Sequence, residues 1–268
     1  LTSDTSTQWV LNEEKNGMVQ REISHVPGLY KIFDEILVNA IDQCVMDSTV
    51  DSIKVEIDKD SGSISVMNTG KGITLQTHEN EGVIVPEMIF GQLLTSSNYD
   101  DTEKKTVGGR NGYGAKLTNV FSKSFEVDIV DVESQQRCKI SWSNNMTEKS
   151  KAKITSKKCQ KGYVKFTFIP DYARFHMSGL DDDTIALFEK RTYDVCACTH
   201  SGIGVYYNGT KLQYKTFEKY IDLYIGNKKD QLRVYESGDR WDVCISHSID
   251  GYKQVSFVNG INTNQGGA

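Results

Sequence analysis

The stretch Gly108-Gly109-Arg110-Asn111-Gly112-Tyr113-Gly114-Ala115-Lys116 interleaves four glycines with two cations and runs directly into the apolar Leu117, Val120 and Phe121. It reads as a phosphate cradle that opens a helix. The first N–H groups of a helix lack partners within it, the macrodipole favours an anion there, and glycine lets backbone approach phosphate oxygens. The expected ligand is a nucleoside triphosphate, with a mobile surface loop as the alternative. Spacing excludes two familiar phosphate loops. A Walker A loop would follow its last glycine with Lys-Ser or Lys-Thr, whereas Gly114 is followed by Ala115-Lys116-Leu117. A dinucleotide fingerprint would place a third glycine at position 117 and a strand just before the loop. Leu117 stands there instead, and the polar run Asp100-Asp101-Thr102-Glu103-Lys104-Lys105 precedes the loop.

Upstream, Pro27-Gly28 introduces Leu29, Ile32, Phe33, Ile36, Leu37, Ala40 and Ile41 at the spacing of one helical stripe. Glu35 and Asn39 stand one turn apart beside that stripe, and Asp42 continues their row. A carboxylate can take a proton from water, and an amide oxygen can hold a hard cation without competing for that proton. The pair suits metal-assisted hydrolysis, with Mg²⁺ completed by the phosphates of the substrate; the alternative is the wet flank of an amphipathic helix. Next, Ile53, Val55 and Ile57 alternate with polar residues, Asp58-Lys59-Asp60-Ser61-Gly62 carries turn chemistry, and Ile64 and Val66 resume the alternation. This pattern predicts a hairpin that turns the Asn68 amide toward the core, just before Thr69-Gly70-Lys71-Gly72. Such an amide needs a partner, either a base edge or the backbone of the turn itself.

The remainder of the chain sets limits. A length of 268 residues suggests two domains and a core that needs no staples. The six cysteines show no metal-ligand spacing and read as reduced thiols, with Cys196-x-Cys198 in a packed helix. No apolar run approaches the ~20 residues of a membrane span, so no membrane partner is expected. A net charge of −5 argues against a uniformly basic nucleic-acid surface. Lys149, Lys151, Lys153, Lys157, Lys158 and Lys161 form either a local DNA contact or a solvated face.

Taken in order, Glu35 and Asn39, then Asn68-x-Gly70-x-Gly72, then the glycine lid resemble the three motifs of the GHKL ATPase superfamily of gyrase, heat-shock chaperones, histidine kinases and MutL. The run Gly91-Gln92-Leu93-Leu94-Thr95-Ser96-Ser97-Asn98-Tyr99-Asp100-Asp101, together with the lid, is similar to the ATPase region of eukaryotic-type DNA topoisomerase II. The resemblance implies an α/β two-layer Bergerat sandwich with a mixed, mainly antiparallel sheet over residues 1–214, followed over 215–268 by the incomplete start of a transducer domain. It makes Glu35 the base that activates water and Asn39 a ligand of Mg²⁺ and ATP. It sets Asn68 at adenine and Ser96, Ser97 and Asn98 along ribose and phosphates. Gly109, Arg110, Asn111, Gly112, Tyr113, Gly114, Ala115 and Lys116 would surround the triphosphate.

The same resemblance implies ATP-driven closure of a homodimer that captures a DNA segment for passage through a transient double-strand break, in the nucleus. Two readings stand beside it: a nucleotide-binding dimerisation module that does not hydrolyse ATP as isolated, and another GHKL machine such as a MutL-like repair protein. The chain departs from the family at Gln43 and Met46, where an Asn and a basic residue are expected. It also carries no Gln-Thr-Lys triplet to reach the γ-phosphate, and lacks the arm exchanged between subunits. It is therefore expected to be a fragment, and weakly active or inactive alone.

Overall fold

Strands β1 (Asp4–Leu11) and β2 (Met18–His25) pair as a hairpin and deliver the chain to helix α1 (Pro27–Met46). Residues 2–78, 82–92, 113–229 and 231–263 are described in this computed structural model. Pro27 stands at the start of α1, where its missing N–H costs nothing, and the expected apolar stripe is buried along the helix. Asp42, expected to continue the row of Glu35 and Asn39, is buried while those two are partly exposed.

Strands β3 (Ser52–Asp58) and β4 (Ser63–Gly70) form the predicted hairpin in the register Ile53–Asn68, Val55–Val66 and Ile57–Ile64. Asp58 organises its turn by accepting from the Asp60 and Ser61 amides and the Ser61 hydroxyl. After α2 (Val85–Gly91) and α3 (Gly114–Val120) come β5 (Ser122–Asp131), β6 (Gln136–Ser143), β7 (Glu148–Lys149), β8 (Lys153–Ser156) and β9 (Gly162–Pro170). Helix α4 (Asp182–Cys198), capped by Asp181 accepting from the Thr184 amide, leads to β10 (Gly204–Tyr207) and β11 (Thr210–Lys211). The nine-stranded sheet runs β11-β10-β3-β4-β9-β5-β6-β7, with β8 also on β6. Among the described strands of this sheet only β10 and β3 pair in parallel, so it is mixed and mainly antiparallel as expected.

Alternation along β3 buries Ile53, Val55 and Ile57 while leaving Lys54, Glu56 and Asp58 exposed. One face of the sheet thus meets the helices and the other meets water, giving two layers. Across the helix-facing side, Val205, Ile53, Asn68, Val164, Ile129 and Cys138 lie in one register row. Asn68 is the polar member of an otherwise apolar row.

The Asn208-Gly209 turn has positive φ at both residues, as a two-residue hairpin requires. The chain then forms α5 (Phe217–Ile225) and the antiparallel pairs β12 (Arg233–Ser237) with β13 (Asp242–Ser246) and β14 (Phe257–Val258) with β15 (Ile261–Asn262). Helix α5 packs on α4 through Tyr220 and Leu223, so the main core continues past residue 214. Cys196 and Cys198 close the last turn of α4, and all six cysteines are free.

Candidate nucleotide site

Glu35 and Asn39 leave the buried stripe of α1 on its open flank, both partly exposed. The Lys31 ammonium reaches the Glu35 carboxylate at 2.7 Å, one turn back along the helix. Its other side meets α3. A β-carbon added at Gly114 would overlap the Glu35 carboxylate, so only glycine allows the start of α3 to approach this acid so closely. The glycine-rich stretch is therefore joined to the carboxylate helix by direct contact at its last glycine.

Helix α3 is held there by polar side chains. The Thr118 hydroxyl donates to the Ile32 carbonyl at 2.8 Å, and the Asn119 amide donates to the Phe90 carbonyl at 3.1 Å. Ala115, Lys116, Thr118 and Asn119 are the buried residues of α3, whereas Leu117 is 44 % exposed. In this seven-residue helix, hydrogen bonds to neighbouring carbonyls decide which face turns inward. Lys116 is 1 % exposed, and burial lowers the pKa of its ammonium. Tyr113 precedes the helix and is exposed, its carbonyl accepting from the Leu117 amide.

On β4, the buried Asn68 amide donates to the Thr69 carbonyl at 3.0 Å, which is the backbone partner that the sequence left open beside a base edge. One such bond uses one of its two N–H donors. The following turn is pinned by Asp47, the residue that ends α1. Its carboxylate accepts from the Lys71 amide at 2.7 Å, and from the Thr49 amide and hydroxyl. Gly70 and Gly72 have positive φ, and a β-carbon at Gly72 would overlap the Val130 carbonyl. Burial pushes the Asp47 carboxyl up, but the hydrogen bonds from Thr49 and Lys71 prevail and hold it below the usual carboxylate range. Asp47 was missed in the sequence; an aspartate six residues beyond the helical stripe, just ahead of the predicted hairpin, was the available signal.

Of the candidate residues, Glu35, Asn39, Asn68, Tyr113, Gly114, Ala115 and Lys116 are described. Glu35 and Gly114 are in contact, Asn39 is one turn further along α1, and Asn68 lies on β4, against which α1 packs. Ser96, Ser97, Asn98, Gly109, Arg110, Asn111 and Gly112 lie outside the described residues. In the lysine-rich segment, Lys149 pairs with Glu87 and Lys161 with Asp51, while the segment, which includes strand β8, is mostly exposed. No helix among the described residues is long and apolar enough to cross a membrane.

Residues 24–173, more than half of the chain, match the family of histidine kinase-, DNA gyrase B- and HSP90-like ATPases. DNA topoisomerase 2 of Arabidopsis thaliana is 49% identical over 98% of this chain, and that of Drosophila melanogaster is 48% identical over 97%. The chain spans 18% of the length of each of these relatives. Among solved structures, the ATPase region of Saccharomyces cerevisiae topoisomerase II superposes with a TM-score of 0.93 at 43% identity, covering 98% of this chain and 70% of that one. The ATPase and transducer domains of DNA topoisomerase II from Balamuthia mandrillaris give 0.91 at 45% identity, covering 98% and 67%. The motif order, the two-layer fold and these likenesses agree, and the chain belongs to the histidine kinase-, DNA gyrase B- and HSP90-like ATPases, within the group of topoisomerase II ATPase regions.

Proposed function

We propose that this chain is the ATP-binding and hydrolysing gate of a type IIA DNA topoisomerase, in which ATP closes a homodimer around a DNA segment destined for strand passage. The observation that carries the reading is the contact between Gly114 and Glu35, which sets the end of the glycine-rich stretch against a carboxylate. The donor set suits a nucleotide with Mg²⁺: Asn39 offers a neutral oxygen beside the Glu35 carboxylate, and a cation held by one protein amide completes its shell with phosphate oxygens and water. When bound, Mg²⁺ would neutralise phosphate charge.

In this reading Glu35 takes the proton of the attacking water. Lys31 pairs with the carboxylate at the flank of α1 and must yield one oxygen to that water. Asn39 binds the cation and Asn68 the adenine. Ser96, Ser97 and Asn98 serve ribose and phosphates, and Gly109 to Lys116 wrap the triphosphate. Residues 1–214 form the ATP-binding unit and 215–268 begin a transducer. The exposed Leu232 just before β12, with Val234 on β12 and Val243 and Ile245 on β13, supports that division, because such a face suits a further packed layer. The protein works on double-stranded DNA in the nucleus.

Calorimetric titration with a non-hydrolysable ATP analogue tests the site. Binding is expected to require Mg²⁺ and to weaken about 10- to 100-fold in Asn39→Ala, the equivalent of one lost polar contact of ~1–3 kcal/mol. Equal affinity with and without Asn39 removes it from the site. In the full-length protein, ATP-dependent relaxation of supercoiled DNA and analogue-dependent dimer closure by sedimentation are expected. ATP hydrolysis without relaxation would favour another GHKL machine. Fluorescent tagging of the full-length protein checks nuclear residence.

A further inference from the structure

Asp34, next to Glu35 in sequence, faces a different side of α1. Consecutive helical residues diverge by about 100°, so while Glu35 meets α3, Asp34 is buried against α4. There the fully buried Arg191 donates from Nε to the Asp34 carboxylate at 2.6 Å. The same guanidinium donates from Nη2 to the Gly260 carbonyl, also at 2.6 Å, in the turn joining β14 and β15. Three further contacts seat that turn on the helix layer. Gly260 has φ +78°, and a β-carbon there would press on Ile41 of α1. The Phe257 ring meets Tyr220 edge-on at 6.1 Å, and Lys190 lies over its face at 5.9 Å. Lys190 and Tyr220 in turn both bind the Asp194 carboxylate.

We propose that Arg191 is a positioning residue that couples the β14–β15 hairpin to Glu35 through Asp34. One rigid fork grips the helix carrying the acid and the backbone of a hairpin near the C-terminal end of the described chain, so a shift of the hairpin turns or slides α1 and changes the approach of Glu35 to Gly114. Stability alone does not account for the arrangement. A buried ion pair is often matched by apolar residues of similar volume, and here the Nη1 atom is buried with no hydrogen-bond partner among the described residues. The proposal rests on the reading of Glu35 as the base.

The test uses the full-length protein as wild type, Glu35→Gln, Arg191→Lys and the paired variant Asp34→Leu with Arg191→Met, which leaves no unpaired buried charge. Turnover, affinity for a non-hydrolysable ATP analogue and hydrogen exchange over residues 257–262 are measured on each. The paired variant is expected to bind the analogue within about threefold of wild type while turnover falls about 5- to 30-fold, with Arg191→Lys in between. The analogue is expected to slow hairpin exchange in wild type and Glu35→Gln but not in the paired variant. Undiminished turnover, or hairpin protection that survives in the paired variant, overturns the proposal. Should that variant fail to fold, wild-type turnover and protection in Arg191→Lys overturn it equally. Wild-type turnover in Glu35→Gln instead removes the base assignment, and the exchange result still reports whether Arg191 couples the hairpin to the nucleotide.

Discussion

Gly114 sets two rules against each other. Helix propensity favours alanine over glycine, by about 1 kcal/mol in a helix interior and less at a first position such as this, yet a β-carbon here would occupy the place of the Glu35 carboxylate. Sterics prevail for function: the overlap falls on the far end of a flexible side chain, so an added β-carbon would push the carboxylate aside and cost it its position. Gly114→Ala is therefore expected to depress turnover while changing stability by no more than about 1 kcal/mol, checked by denaturant unfolding and steady-state ATP hydrolysis. Glu35→Gln keeps nearly the same shape and removes only the basicity. It is expected to retain analogue binding while hydrolysis falls ~10²–10⁴-fold, and full turnover would eliminate Glu35 as the base. Neither the Gly114 contact nor the Asp47 clasp on the Lys71 amide is visible in sequence spacing, since each joins residues far apart in the chain.

Helix α1 and the β3–β4 hairpin follow from periodicity, because a stripe of seven apolar residues and a strict alternation leave each segment one way to bury its greasy face. The β10–β11 hairpin was equally legible from Asn208-Gly209, whose positive φ values suit these two residues. Its side chain does more than turn the chain. Asn208 Oδ1 accepts from the Ile57 amide at 2.7 Å and Nδ2 donates to the Ile57 carbonyl at 3.2 Å, which ties the turn to the neighbouring β3. Asn208→Ala is expected to cost about 1–3 kcal/mol in denaturant unfolding, whereas Asn208→Asp should recover part of that by keeping the acceptor and the tolerance for positive φ. Helix α3 offers no such local signal for its buried face. Its docking depends on Thr118 and Asn119 finding the Ile32 and Phe90 carbonyls, and a polar side chain does not announce a distant partner.

The assembled molecule carries paired acids on several elements, which gives its stability a pH dependence. Burial raises the Asp128 carboxyl, but the two-pronged contact from Arg137 and the nearby Lys139 outweigh it and hold the group below its usual range. Backbone and side-chain hydrogen bonds from Ser24 and Arg21, with the Arg21 charge, likewise outweigh burial at Asp183. A carboxyl depressed on folding contributes stability in full above its unfolded value of about 3.9, and loses it as pH falls through the lower folded value. Unfolding free energy should therefore decline from about pH 4 downward, and Asp128→Asn should lower stability at neutral pH while flattening that decline, measured by denaturant titrations across pH. By itself the sequence determined the carboxylate helix, the hairpin with Asn68 facing the core and the order of the site motifs, because periodicity and turn chemistry are local. Only the tertiary structure decided that Gly114 abuts Glu35, that Asp47 clasps the glycine turn and that Arg191 ties Asp34 to Gly260. Those contacts depend on which elements the sheet and its helix layer bring face to face, and no spacing along the chain encodes that.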